Sequence, residues 1–220
     1  MAVKIGLKYI DIWKESMEDE VLEYEKEPIE KGKIVFYGPS NFTRWSARFG
    51  NKPLAESILG KSGERCAINR GFGSSCAEHH LYYYSRMVKP LEPKVLVYTP
   101  ISNFAPFGYS VEEAWELGQR VIAWAETDFP GIQIYTSGHN VHRPADNLCK
   151  VEEIKRINAT IKAFCDLKEN RHFFSPYNNP ELANRKDIYV EDGEHFNQEG
   201  YDIYTEIGRA SCRERVCQLV

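Results

Sequence analysis

A chain of 220 residues, 42% hydrophobic and 13% aromatic with a net charge of −4, is long enough for one domain with a two-faced core. The mildly acidic balance gives no support for a nucleic-acid partner. No apolar run reaches the roughly eighteen residues of a membrane-spanning helix, so no membrane partner is expected.

The opening Met1-Ala2-Val3-Lys4-Ile5-Gly6-Leu7-Lys8 is too short and too interrupted by charge for a secretory leader, and a cytoplasmic protein is expected. Ile10, Trp13, Met17, Val21 and Tyr24 then recur at three- and four-residue steps among acidic residues, which predicts an amphipathic helix ending near Pro28. A buried strand follows over 33–37 and runs into Gly38-Pro39-Ser40. Residues 41–50 read as a short helix or turn, with 54–59 packed beneath it. A second strand over 66–69 closes on Arg70-Gly71-Phe72-Gly73-Ser74-Ser75, and a helix is expected from about 75 to 88. Lys94-Val95-Leu96-Val97-Tyr98-Thr99, bounded by Pro93 and Pro100, is the clearest strand. A helix over 111–127 takes Ser110 as its N-cap and Glu112-Glu113 in its first turn. A fourth strand over 131–136, a helix over 151–167, a fifth strand over 172–175, an extended piece at 188–190 and a final helix from 197 to 207 complete the order.

Strands alternate with helices throughout, so a mostly parallel sheet of about five strands covered on both faces, an α/β/α sandwich, is expected. Residues 1–32 form an N-terminal helical extension in this reading and 33–207 the domain proper. The last residues, Gly208-Arg209-Ala210-Ser211-Cys212-Arg213-Glu214-Arg215 onward, look like the translation of a widely used sequencing-library adapter. Residues 208–220 are therefore expected to be a non-native tail. Cys66, Cys76, Cys149, Cys165, Cys212 and Cys217 include no Cys-x-x-Cys pair and read as buried or incidental thiols rather than a disulfide frame or zinc site.

In a parallel sheet the carboxyl ends of the strands face the ligand crevice, which puts Ser40 on its floor. A serine hydroxyl is a useful nucleophile only when a base can take its proton. Asp192 and His195, three residues apart, can supply that base and its orienting carboxylate. The same spacing also fits a helix-capping aspartate beside a surface histidine. His79-His80 beside Cys76 point about 100° apart on a helix, so helix surface is expected there rather than a metal site. Tyr82-Tyr83-Tyr84 read as packing on a broad helix face. His139, His142 and Arg143 follow strand four and fit either a substrate wall or a polar loop.

No Gly-x-Ser-x-Gly elbow is present. Four blocks in order instead resemble the SGNH/GDSL hydrolase family over about residues 33–207. They are Val35-Phe36-Tyr37-Gly38-Pro39-Ser40-Asn41 with Trp45 downstream, Asn69-Arg70-Gly71-Phe72-Gly73-Ser74-Ser75, Ser102-Asn103 with Gly108, and Asp192-Gly193-Glu194-His195-Phe196-Asn197 with Gly200-Tyr201. The resemblance implies a flavodoxin-like three-layer fold and a serine esterase acting on a small or carbohydrate-linked acyl ester, with no metal or organic cofactor. It implies Ser40 as nucleophile, His195 as base and then acid, and Asp192 as the residue that orients it. The backbone N–H groups of Ser40 and Ser74 and the Asn103 amide would form the oxyanion hole. The chain departs from the family pattern at Pro39, at Ser74 in place of a glycine, at Pro100-Ile101 and at Phe104. A degenerate relative that keeps the crevice without turnover is the alternative. A flavodoxin-like nucleotide binder ranks lower, because no Gly-x-Gly-x-x-Gly or Walker-type loop follows strand one. Nothing in the sequence sets the oligomeric state.

Overall fold

Alternate residues of a strand face opposite sides of its sheet, and the central strands here are apolar on both. The structure is a computed structural model, which describes residues 14–139, 151–175, 180–183 and 185–213. Five strands, β1 (Ile34–Gly38), β2 (Ala67–Gly71), β3 (Val95–Tyr98), β4 (Gln133–Ser137) and β5 (Arg171–Phe174), form one all-parallel sheet in the order β2-β1-β3-β4-β5. Val35 and Tyr37 of β1 and Leu96 and Tyr98 of β3 join one core cluster, while Phe36, Val95 and Val97 join the other.

On the first face lie α1 (Lys14–Glu25), α4 (Ala77–Met87), α5 (Val111–Asp128) and α6 (Val151–Cys165). The second face is covered by α2 (Ser40–Thr43), α3 (Leu54–Ser57), α7 (Pro180–Ala183) and α8 (Gln198–Arg213). Trp45 is buried there, stacked on Tyr201 at 4.9 Å between ring centroids and edge-on to Tyr204 at 5.6 Å. Each such large apolar side chain contributes about 1.5–3 kcal/mol when fully buried.

The predicted α/β/α sandwich and its strand order along the chain stand as read. Ser110 caps α5 by accepting from Glu113 N–H, and the Glu113 carboxylate in turn accepts the Ser110 N–H. The helix read from about 75 begins instead at Ala77, because Cys76 takes the capping position and its N–H donates to His79 Nδ1 at 3.2 Å. The N-terminal helix is packed into the core through Met17 and Val21. Ile10 and Trp13, the other apolar residues of its predicted stripe, lie outside the described residues, as do His142, Arg143, Cys149 and Cys217. Cys66, Cys76 and Cys165 are buried and are not joined in disulfides. The α8 backbone continues through Arg213, into the segment read as foreign.

One expectation is overturned. His79 and His80 are not on the helix surface: both are fully buried, because α4 is sandwiched between the sheet, α1 and α5. Tyr83 and Tyr84 are likewise buried, and Tyr82 is 41% exposed. No described helix is long and apolar enough to cross a membrane.

Candidate active site

In this strand order, β1 and β3 are adjacent although their connections run to opposite sides of the sheet, and a crevice opens where the order reverses. Ser40 follows β1 directly and Asn103 follows β3, so both arrive at that point. Pro39 precedes α2 with φ −81° and ψ −164°, a conformation its ring favours, and it leaves Ser40 as the first helical residue. The turn is pinned by Phe42 N–H on Pro39 O and Arg44 N–H on Ser40 O. Asn69 ties it to β2 by donating from Nδ2 to Phe42 O at 2.7 Å and accepting Gly71 N–H at Oδ1. Gly71 has to be a glycine: a Cβ there would stand 2.4 Å from Phe42 Cβ and 2.6 Å from Thr43 N.

The second half of the site is a tight loop. Val190 N–H donates to His195 O and Asn197 N–H to Ile188 O, and Gly193 makes the turn at φ +66°. Asp192 Oδ1 accepts from the backbone N–H groups of Glu194 and His195, both at 2.9 Å. Asp192 Oδ2 lies 2.8 Å from His195 Nδ1, and His195 Nε2 lies 2.7 Å from Ser40 Oγ. A carboxylate on Nδ1 selects the tautomer with its proton there, which leaves Nε2 as the acceptor for the serine hydroxyl. Ser40, His195 and Asp192 therefore form one hydrogen-bonded chain.

Burial would raise the Asp192 carboxyl, but the two backbone N–H bonds and the His195 ring outweigh it and bring it to about 2. His195, 7% exposed, is pushed below the usual histidine value first by burial, with Asp192 opposing and the positive charge of Arg44 assisting. Arg44 Nη1 stands 3.3 Å from Asp192 Oδ2. Its role was not legible in the sequence, because only the folded chain brings the turn after Ser40 to the Asp192 loop.

The cleft beside Ser40 encloses about 410 Å³ including its open mouth, and its lining includes Ser40, Ser102, Asn103, Gly138, His139 and Glu194. Asn103 Nδ2 donates one hydrogen bond to Ser75 O at 2.9 Å, and a carboxamide nitrogen carries a second N–H. Ser74 is exposed and is not among the lining residues, but it keeps a glycine-like φ of +58° despite its side chain. Asn103 is also left-handed, at φ +46°. Among the described non-glycine residues only Glu92 shares this conformation. His139 is held by Asn158, which accepts its N–H at 2.8 Å and donates to its carbonyl at 2.9 Å.

Behind the loop that carries Ser74 lies a buried network. Ser75 Oγ donates to Phe72 O at 2.8 Å, so the contact at 3.0 Å between Ser75 Oγ and His80 Nε2 requires His80 to donate. His80 Nδ1 then accepts from Tyr98 OH at 3.2 Å. Burial holds His80 well below the usual histidine value, in keeping with a neutral ring. The available sequence signal was spacing: Ala77, Tyr83 and Tyr84 lie three or four residues from His80, on the same helix face. His79 instead faces Cys76 Sγ at 3.2 Å. Among the described residues, no group of three or more His, Cys, Asp or Glu side chains could hold a metal ion.

No protein-family model and no curated protein matches the chain. Solved structures do. A protein from Bacteroides fragilis proposed to be an acylhydrolase superposes with a TM-score of 0.68 at 16% identity, covering 96% of this chain and 99% of its own. A GDSL-like lipase from Bacteroides thetaiotaomicron superposes at 0.64 with 17% identity, covering 93% and 98%. An acetyl xylan esterase superposes at 0.64 with 18% identity, covering 81% and 98%. Likeness at this level of identity is likeness of backbone, and over nearly the full length of those proteins the chain has the SGNH/GDSL hydrolase fold.

Proposed function

We propose that this protein is a serine esterase that cleaves a small or carbohydrate-linked acyl ester through an acyl-enzyme. The reading rests on one observation above all: the unbroken chain of short hydrogen bonds from Ser40 through His195 to Asp192. The acylhydrolase and acetyl xylan esterase among its fold neighbours support the choice of bond.

In this mechanism His195 Nε2 takes the Ser40 proton as Oγ attacks the ester carbonyl. The tetrahedral oxyanion is met by the N–H groups of Ser40 and Ser74 and by the second N–H of the Asn103 amide. That both downstream donors sit at positive φ supports this role, since backbone in sparsely populated regions gathers at functional sites. The imidazolium, stabilised by Asp192, returns its proton to the leaving alcohol. A water molecule then loses its proton to His195, attacks the acyl carbonyl and releases the acid, restoring Ser40. A shallow cleft lined by Ser102, Asn103, His139 and Glu194 suits a short acyl group and a polar alcohol better than a long hydrocarbon chain.

The test is labelling with a fluorophosphonate probe alongside turnover of p-nitrophenyl acetate. Wild-type protein is expected to label and turn over, and Ser40→Ala and His195→Ala to lose turnover while staying folded. Folded wild-type protein that neither labels nor hydrolyses any ester in an acyl panel would leave the crevice a binding site only.

A further inference from the structure

Helix α1 looks at first like an appendage to the domain, yet it touches the loop that carries a candidate oxyanion donor. Glu20 Oε2 accepts the Gly73 N–H at 2.7 Å, and Tyr24 OH donates to Gly71 O at 2.7 Å. On the other side of Ser74, Ser75 is fastened through its side chain to Phe72 O and His80, and through its carbonyl to Ser102 Oγ and Asn103 Nδ2. Both chain neighbours of the left-handed Ser74 are thus anchored, one from α1 and the other from the core. A non-glycine residue stays at positive φ only when its surroundings over-determine it, and these anchors do so.

Glu20 is not needed to hold α1 in place. Met17 and Val21 bury the helix in the core, and Arg86 bridges Glu18 and Glu25 at 2.7 Å each on its outer side. The half-buried Glu20 carboxylate, which gives up solvation to sit there within the field of Arg48, accepts the loop amide of Gly73.

We infer that Glu20 is a positioning residue for the oxyanion site: by fixing the peptide at Gly73 it directs the adjoining Ser74 N–H toward the developing charge. The inference rests on the esterase reading above. Its consequence is that α1 belongs to the catalytic apparatus, although none of its residues lines the cleft beside Ser40.

The experiment compares wild type, Glu20→Ala, Glu20→Gln and Glu18→Ala on p-nitrophenyl acetate, with thermal unfolding of each. Glutamine keeps a carbonyl oxygen able to accept the Gly73 N–H. Misplacing one donor without deleting it should cost about tenfold in kcat, short of the hundred- to thousandfold typical of outright loss. Glu20→Ala is therefore expected to lose about tenfold in kcat with KM within about twofold of wild type. Glu20→Gln should recover most of that loss, and Glu18→Ala should keep wild-type kcat while unfolding at a lower temperature. Should Glu20→Ala prove unstable, amide hydrogen exchange across residues 72–75 in Glu20→Gln and in the shorter Glu20→Asp supplies the reading: lost protection and lower kcat in Glu20→Asp, with both kept in Glu20→Gln, support the clamp, and lost protection with kcat retained overturns it. An active wild type with an equally active Glu20→Ala overturns the clamp alone. A wild type inert to both ester and fluorophosphonate removes the esterase reading and the clamp with it.

Discussion

Arg44 reaches the same Asp192 oxygen that accepts from the His195 ring, standing 3.3 Å from it while the imidazole stands at 2.8 Å. The cation follows Ser40 by one helical turn, so the element that presents this hydroxyl also sets the electrostatics of the imidazole beside it. Two effects compete: the guanidinium steadies the carboxylate, and it disfavours a positive imidazole nearby. In the proposed mechanism His195 must be neutral to accept a proton, so its ionisation would set the acid limb of the rate profile.

Removing that charge should raise the His195 pKa, since the imidazolium would no longer face a cation and would have Asp192 to itself. In Arg44→Gln the acid limb of kcat/KM is expected to move to higher pH, with only a modest loss on the neutral plateau. Stopped-flow or spectrophotometric rates across pH 4–9 check it. An acid limb unmoved or shifted downward would show that Arg44 does not influence the base.

Wild-type activity should stay high to pH values below the ordinary histidine range, because burial holds the imidazole neutral there. Asp192 provides a separate acid sensitivity. Its folded-state pKa of about 2 lies below the 3.8 of an ordinary aspartate, so it contributes stability that is complete above the unfolded value and is lost as pH falls from there toward 2. Asp192→Asn should flatten this part of the stability profile and lower kcat by roughly a thousandfold or more, since the imidazole loses both its orienting acceptor and its counter-charge. Thermal unfolding followed from pH 2 to 5 reads the first effect, and steady-state kinetics the second.

Asn103 donates one N–H to Ser75 O and lines the cleft, and in the proposed mechanism its other N–H meets the oxyanion. Asn103→Ala should reduce kcat about a hundred- to a thousandfold with little change in KM, the usual cost of a lost oxyanion donor. Asn103→Asp, nearly the same shape, should be at least as damaging, because it sets a negative charge where one must develop. Full activity in either variant would remove the side chain from the oxyanion site.

Gly71→Ala tests how the nucleophile is seated. Its Cβ would fall within 2.4 Å of Phe42 Cβ and 2.6 Å of the Thr43 backbone, so the turn carrying Ser40 has to move. Overpacking of this kind costs about 1–3 kcal/mol of stability. Displacing the hydroxyl by even a fraction of an ångström should also lower kcat by tenfold or more. Denaturant unfolding and p-nitrophenyl acetate turnover measure both losses.

Much of the architecture could be read before any coordinates because it depends on short-range rules. Short unbroken apolar runs bounded by proline, such as Val95-Leu96-Val97-Tyr98, specify strands, and the Ser110–Glu113 pair writes a helix start within one turn. The Asp192–His195 bond is also of this kind, since residues three apart in one tight loop are neighbours by backbone geometry alone. Other features resisted for a physical reason. Ser40 and His195 are 155 residues apart, and their meeting depends on the strand order and on how α8 and its leading loop fold over β1. The burial of His79 and His80 is of this kind too: divergent rings on a helix argue against a shared metal, but whether they are exposed depends on what the helix is packed against.

The chain's own pattern of residues thus marked out most of its strands and helices and singled out Ser40, Asp192 and His195 as candidates. Tertiary structure alone decided that Arg44 would reach Asp192, that Glu20 would hold the Gly73 amide and that His80 would support Ser75 from within the core. Those contacts join segments far apart in sequence, and no local spacing encodes them: they exist only after the layers have packed.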